Sequence, residues 1–186
     1  DQAACIRRTE AGAGTVTQIA GFEPIIKKNC RVLILGSMPG VASLQQQQYY
    51  AHPRNAFWPI MGELLSIDNS QEYAKRCSIL SSEKIALWDV LKSCKRTGSL
   101  DSRIETNSEQ ANDFDRLFSV YDSIRAVFFN GGTAERLYKK HILRSEFMQK
   151  KDLFYYRLPS TSPAYAAMTF DEKLGQWRKM LDYLSD

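Results

Sequence analysis

Ten consecutive positions, Tyr49-Tyr50-Ala51-His52-Pro53-Arg54-Asn55-Ala56-Phe57-Trp58, hold most of the chemistry this chain offers. Aromatic faces in a loop suit a flat nucleobase, and an arginine near a helix amino terminus suits phosphate. Phe57 and Trp58 open an apolar series at helical spacing, continued by Ile60, Met61, Leu64 and Leu65, so these two read as core. Tyr50, His52 and Asn55 fit a core poorly and are the candidates for chemistry. Asn55 also stands where a helix N-cap belongs, and capping alone would explain it.

Gly36-Ser37-Met38-Pro39-Gly40 lacks the Lys-Ser/Thr of a phosphate loop, the glycine spacing of a dinucleotide site and the Gly-x-Ser-x-Gly of a serine hydrolase. Glycines around a proline make a stiff turn that a flat ligand can approach closely; an ordinary strand-to-loop turn is the competing reading. Asp89, Asn130-Gly131-Gly132 and Pro159-Ser160-Thr161-Ser162-Pro163 each close an apolar run in the same way. Cys5, Cys30, Cys77 and Cys94 contain no Cys-x-x-Cys pair, and His52 and His141 lie far apart. This spacing favours reduced, mostly buried thiols over zinc, with a four-cysteine iron–sulfur cluster as the weaker alternative.

The elements that must position these loops are short. Arg31–Gly36, Ile85–Leu91, Arg125–Phe129 and Leu153–Leu158 read as buried strands. Ser37–Pro53 reads as a long polar loop and Lys92–Asp101 as a shorter one, while helices are expected from Asn55, from Thr133 and over Phe170–Leu184. Strands alternating with helices argue for a parallel α/β sheet covered on both faces, whose ligand sits where the loops gather at the carboxyl ends of the strands. With 44% apolar and 11% aromatic residues, 186 residues suffice for one core, expected over 29–186 after a loose leader at 1–28. No apolar run approaches the roughly 20 residues of a membrane helix, and no signal-peptide core precedes the domain, so an intracellular protein without membrane association is expected. The net charge of +4 permits a polyanionic partner without demanding one.

Taken in order, Gly36-Ser-Met-Pro-Gly40, Tyr49-Tyr-Ala-His-Pro-Arg-Asn-Ala-Phe-Trp58 and Leu158-Pro-Ser-Thr-Ser-Pro-Ala164 resemble the uracil-DNA glycosylase superfamily. The hypoxanthine-DNA (deoxyinosine) glycosylase branch is the nearest, and mismatch-specific uracil/thymine glycosylases are related. The likeness runs from Arg31 to about Leu184. It implies a three-layer α/β/α sandwich around a four-stranded parallel sheet. It also implies a monofunctional enzyme that hydrolyses the N-glycosidic bond of a deaminated base flipped out of DNA, without metal or other cofactor, and that acts as a monomer. In the mismatch-specific relatives the first motif reads Gly-Ile-Asn-Pro-Gly and its Asn positions water; here Met38 occupies that place. The hypoxanthine branch carries its catalytic Asn in the second motif, which corresponds to Asn55.

On that resemblance the extruded base lies between Tyr50 and the Gly36–Gly40 turn, Pro39 included. Asp89 accepts its N1–H, backbone amides near Ser37 and Met38 donate to its acceptors, and Asn130 lines the pocket. Asp89 as a plain strand-terminal turn residue is the competing reading. Asn55 aligns water, and His52 braces the loop in preference to polarising the base. Ser160, Thr161, Ser162 and Pro163 grip phosphate, and Ala164 and Tyr165 stand at the wedge position; Arg54, Lys92, Arg96 and Arg103 are further candidates for the DNA backbone, with ordinary surface charge as the competing reading of each. Ser160 replaces the histidine or asparagine many relatives carry there. Two other functions compete: the same reaction on uracil or another deaminated base, and a nucleic-acid binding module without catalysis, for which Met38 is the argument.

Overall fold

The structure, a computed structural model, describes residues 15–185. Four parallel strands form its centre: β2 (Val32–Gly36), β3 (Ile85–Asp89), β6 (Ala126–Asn130) and β7 (Phe154–Leu158), in the order β3-β2-β6-β7. β2, β3 and most of β6 are buried on both faces, as helix-covered parallel strands must be.

Alternate residues along each strand feed two cores. Leu33, Leu35, Trp88, Val127 and Phe129 point to one, with side chains of α4 (Phe114–Val120), α5 (Gly132–His141) and α6 (Glu146–Gln149). Val32, Ile34, Leu87 and Phe128 point to the other, with α2 (Phe57–Leu65), α3 (Tyr73–Ser82) and α7 (Phe170–Trp177). The result is the expected three-layer α/β/α sandwich. Each fully buried Leu, Ile or Phe contributes about 1.5–3 kcal/mol, so both helical layers are held by the strand pattern itself.

Several local expectations change. The polar stretch after β2 contains a helix, α1 (Val41–Gln46), since Ala, Leu and Gln favour helix once Gly40 opens it. Ile85–Leu91 is divided at Val90, and the chain continues as β4 (Leu91–Arg96) where a loop was expected. β4 pairs antiparallel with β1 (Thr17–Ala20) on one side and β5 (Gln110–Ala111) on the other, forming a second sheet. Residues 17–20 of the expected leader are therefore a paired strand, and Ile25 bridges Leu87; residues 1–14, with Cys5, lie outside the described residues. The closing helix is α-helical only to Trp177 and tightens to a 3-10 turn over Arg178–Tyr183. Cys30, Cys77 and Cys94 are buried thiols. Among the described residues no helix is long and apolar enough to cross a membrane.

Candidate active site

The strand order turns at β2: the chain goes to β3 on one side and later to β6 on the other, leaving a crevice at their carboxyl ends. There a cavity of about 350 Å³ opens. Every expected substrate-contacting residue from Gly36 to Asn130 lines it, as do Asn55 and Ser160 to Tyr165; Arg54 is exposed outside its wall.

Gly36 pairs in register with Asp89, and a Cβ at Gly36 would lie 2.4 Å from Asp89 Oδ1 and 3.1 Å from the Tyr50 hydroxyl. Only glycine admits the Asp89 oxygen to this point, closer than real side-chain carbons approach, and the Tyr50 hydroxyl would be crowded as well. The Gly36 and Ser37 carbonyls accept the N–H groups of Val90 and Leu91, so trans peptides send the Ser37 and Met38 amides the other way. Met38, which also lines the cavity, is 6% exposed and its side chain belongs to the first core.

The adjacent tyrosines separate. Tyr49 is a core peg: its hydroxyl donates to Glu23 O, its N–H to the Tyr73 hydroxyl, and Trp58 Nε1 donates to its carbonyl. Tyr50 adopts a φ of 57°, a left-handed conformation costing a non-glycine residue roughly 1–2 kcal/mol, and its half-buried ring sits at the edge of the second core where it lines the cavity. One face of that ring stacks on Phe57 at 4.2 Å and 26°. The Tyr50 hydroxyl is buried and makes no well-formed hydrogen bond; the nearby Asn130 amide donates one N–H to Thr161 Oγ1, accepts the Thr161 N–H with its oxygen, and has its second N–H on the Tyr50 side.

Asn55 is not the helix cap, which is Ala56. Its Oδ1 accepts the Phe57 N–H at 2.9 Å, an Asx turn that fixes the carboxamide at the cavity wall and leaves its second lone pair and NH₂ for other partners. His52 is exposed, and its Nδ1 accepts the Arg54 N–H at 3.1 Å, a bond that braces the loop.

Thr161, expected at phosphate, is instead 1% exposed and ties three segments together: its side chain and amide meet Asn130, and its carbonyl accepts the Ala56 N–H at 3.0 Å. Ser160 and Ser162 hydroxyl oxygens accept the Ser162 and Ala164 N–H groups, shaping a tight loop that leaves Ala164 and Tyr165 exposed. Lys92 and Arg103 are exposed, but Arg96 is 2% exposed, and its place at a DNA backbone is corrected. Its Nε donates to Gly98 O and its Nη2 to Pro39 O, pinning the first turn to the loop after β4.

That loop brings in residues the sequence reading missed. Ser99 Oγ accepts the Val41 N–H, and Asp101 Oδ1 accepts the Ser37 hydroxyl at 2.6 Å; both residues line the cavity. A Gly-Ser pair after an apolar run was a legible loop signal, yet an unforeseen antiparallel strand carries it to the pocket. Lys173, 6% exposed, donates to the Tyr165 carbonyl and stands 5.2 Å from that ring; burial lowers its pKa.

Charge in the pocket is unusual. Asp89 is 4% exposed, its Oδ2 has no partner, and burial, aided by the negative Asp101 and opposed by Arg96, pushes its pKa up to about 7. Burial also raises Asp101, against the Ser37 hydrogen bond and the charges of Arg96 and Arg136. Among the described residues, no three His, Cys, Asp or Glu side chains gather as metal ligands would. The arrangement offers a stacking face, a carboxyl with one open oxygen, a fixed carboxamide and a hydroxyl-rich rim.

The family model of the Uracil DNA glycosylase superfamily matches residues 23–185. A hypoxanthine DNA glycosylase of Methanosarcina barkeri is 42% identical over 112 residues, 60% of this chain and 70% of the relative. One from Methanosarcina acetivorans is 40% identical over 116 residues, 61% and 72% of the two chains. The solution NMR structure of a Methanosarcina acetivorans protein, provisionally named a uracil DNA glycosylase, aligns with a TM-score of 0.74 at 32% identity, covering 90% of this chain and 99% of that one.

Proposed function

We propose that this chain, which belongs to the uracil DNA glycosylase superfamily, is a DNA repair glycosylase that removes deaminated bases, hypoxanthine first among them. The observation that carries this reading is that Tyr50 and Asn55, from one motif segment, and Asp89, from the end of β3, line one cavity of about 350 Å³. The glycosidic carbon is inaccessible within a base stack, so the nucleotide must be extruded. Tyr50, backed by Phe57, offers a ring face worth about 1–3 kcal/mol to a stacked base, enough to hold a base without selecting one.

Selection falls to edges. Ionised Asp89 accepts the N1–H of hypoxanthine, which the bare N1 of adenine cannot supply. Asn55, its carboxamide fixed by the Phe57 amide, aligns water at C1′. The water oxygen bonds to C1′ as the C1′–N9 bond breaks, the electron pair leaves with the base, and the water's proton neutralises it. Ser37 and Met38 amides face the developing anion on the base, where fixed dipoles act strongly. Asparagine is no base at neutral pH, so its contribution is positioning, and displacement by water needs no metal. Ser160, Ser162 and exposed Arg54 serve phosphates, and Tyr165 fills the vacated stack. All of these groups come from one chain, in keeping with an enzyme that acts as a monomer inside the cell where DNA is.

Oligonucleotides bearing single hypoxanthine, uracil or xanthine lesions test this. Abasic product from inosine is expected; product from uracil alone would reassign the substrate, and binding without product would reduce the chain to a binding module.

A further inference from the structure

Three side chains beneath the Gly36–Gly40 turn are unusual for a pocket floor. Asp89 Oδ2 and the Tyr50 hydroxyl are buried without partners, and both residues converge on the point where Gly36 lacks a Cβ. Asp101 reaches the same cavity from the loop after β4 and is held by the Ser37 hydroxyl at 2.6 Å. Arg96 is the cation felt by both carboxyls, but its hydrogen bonds go to the Gly98 and Pro39 carbonyls, and Nη1 has no partner. A buried acid and a half-buried one thus share the field of the Arg96 guanidinium, which neither holds by a hydrogen bond.

We infer that Asp101 is a positioning residue of the base pocket. Seated by Ser37, its charge governs whether Asp89 meets the base as hydrogen-bond acceptor or donor. It thereby decides whether the pocket takes a lactam edge, an N–H beside a C=O, or an edge with a bare ring nitrogen. The inference rests on the glycosylase reading of this pocket and adds the residue that sets its selectivity.

The groups facing Asp89 are Asp101, Arg96, Tyr50 and Tyr49, and Arg136 acts on Asp101. Burial and the nearby carboxylates hold the Tyr50 phenol protonated, so it donates to a base carbonyl. Ionised Asp89 beside that donor matches N1–H and O6 of hypoxanthine. Protonated Asp89 presents a hydrogen instead, which suits the bare N1 of adenine, the undamaged base. Sites that pair a specific donor with an acceptor reject analogues lacking it strongly, because a buried group is otherwise stranded. Selective excision is therefore strong above the Asp89 midpoint and is lost as pH falls through it. Asp101 holds that midpoint high by like-charge repulsion.

The test measures single-turnover excision of hypoxanthine against pH for the native chain, Asp101→Asn and Ser37→Ala. Asp101→Asn keeps an oxygen for Ser37 and loses the charge, so the acid limb moves down by about one pH unit. Ser37→Ala weakens the ionised form of Asp101 and moves the limb the same way by less. A limb that stays in place in Asp101→Asn, whatever happens to the maximal rate, overturns the inference. Carbon NMR titration of the Asp89 carboxyl in the native chain and in both variants decides it without catalysis: its midpoint must fall in Asp101→Asn. Absence of base release from every lesion by the native chain would defeat the glycosylase reading alone.

Discussion

At the scale of residues, Asn55 shows how one hydrogen bond can serve both folding and chemistry. Its Oδ1 takes the Phe57 N–H, so the bond that shapes the entry to α2 also fixes the orientation of the carboxamide at the cavity wall. Asn55→Ala is expected to lower single-turnover excision by about 100-fold or more, because a misplaced water forfeits the proximity advantage. DNA affinity should change little, and stability should fall by about 1 kcal/mol for the lost turn bond. Equal losses of binding and rate would make Asn55 a binding residue. Its neighbours mark where reading a sequence stops. Tyr49 and Tyr50 are the same residue type side by side, yet one is 4% exposed and hydrogen-bonded at its hydroxyl, amide and carbonyl, while the other keeps an unpartnered hydroxyl at the cavity. The positive φ at Tyr50 separates them, and no side-chain pattern announces it.

Among the elements, α7 lies far from the expected chemistry in sequence and close to it in space. Trp177 is fully buried, packs edge-on to Phe57 at 5.9 Å, and donates through Nε1 to the Pro159 carbonyl at the head of the serine-proline loop. Trp177→Ala should cost about 3–5 kcal/mol through its cavity alone. In urea this appears as a lower midpoint with the same slope. Trp177→Phe retains much of the packing but leaves the Pro159 carbonyl without its donor, adding about 1–3 kcal/mol to the cost of the lost atoms. The apolar spacing of Leu174 and Trp177 made the helix legible. Its grip on a loop 18 residues earlier was not, since that depends on which face of the sheet α7 covers. β4 was illegible for a related reason: Val90 and Leu91 continue the apolar run of β3, so one run conceals two strands in different sheets.

For the whole molecule, the buried acid links stability to pH. Asp89 binds its proton more tightly when folded, with a midpoint of about 7 against an ordinary 3.8. Between those values the folded state holds more protons than the unfolded one, so this group's contribution to stability falls as pH rises from about 4 to 7. Asp89→Asn removes the liability and should stabilise the protein at pH 8 by on the order of 2–4 kcal/mol, with little effect at pH 4. Thermal melts at both pH values check this, and equal shifts would show that Asp89 is not ionised out of water. Such a cost is expected of a group kept for chemistry and not for packing.

Sequence alone determined a parallel α/β sheet covered on both faces, because short unbroken apolar runs separated by helical spacing leave no strand face for water. It also determined the motif segments that line the crevice, because strand-end loops of a parallel sheet have only one end at which to gather. Tertiary structure decided the rest. It moved Thr161 and Arg96 inward, carried Asp101 to Ser37 across 64 positions of chain, and set two acids around one buried cation. Burial and charge proximity depend on the distances between segments, and residue order does not encode those distances locally.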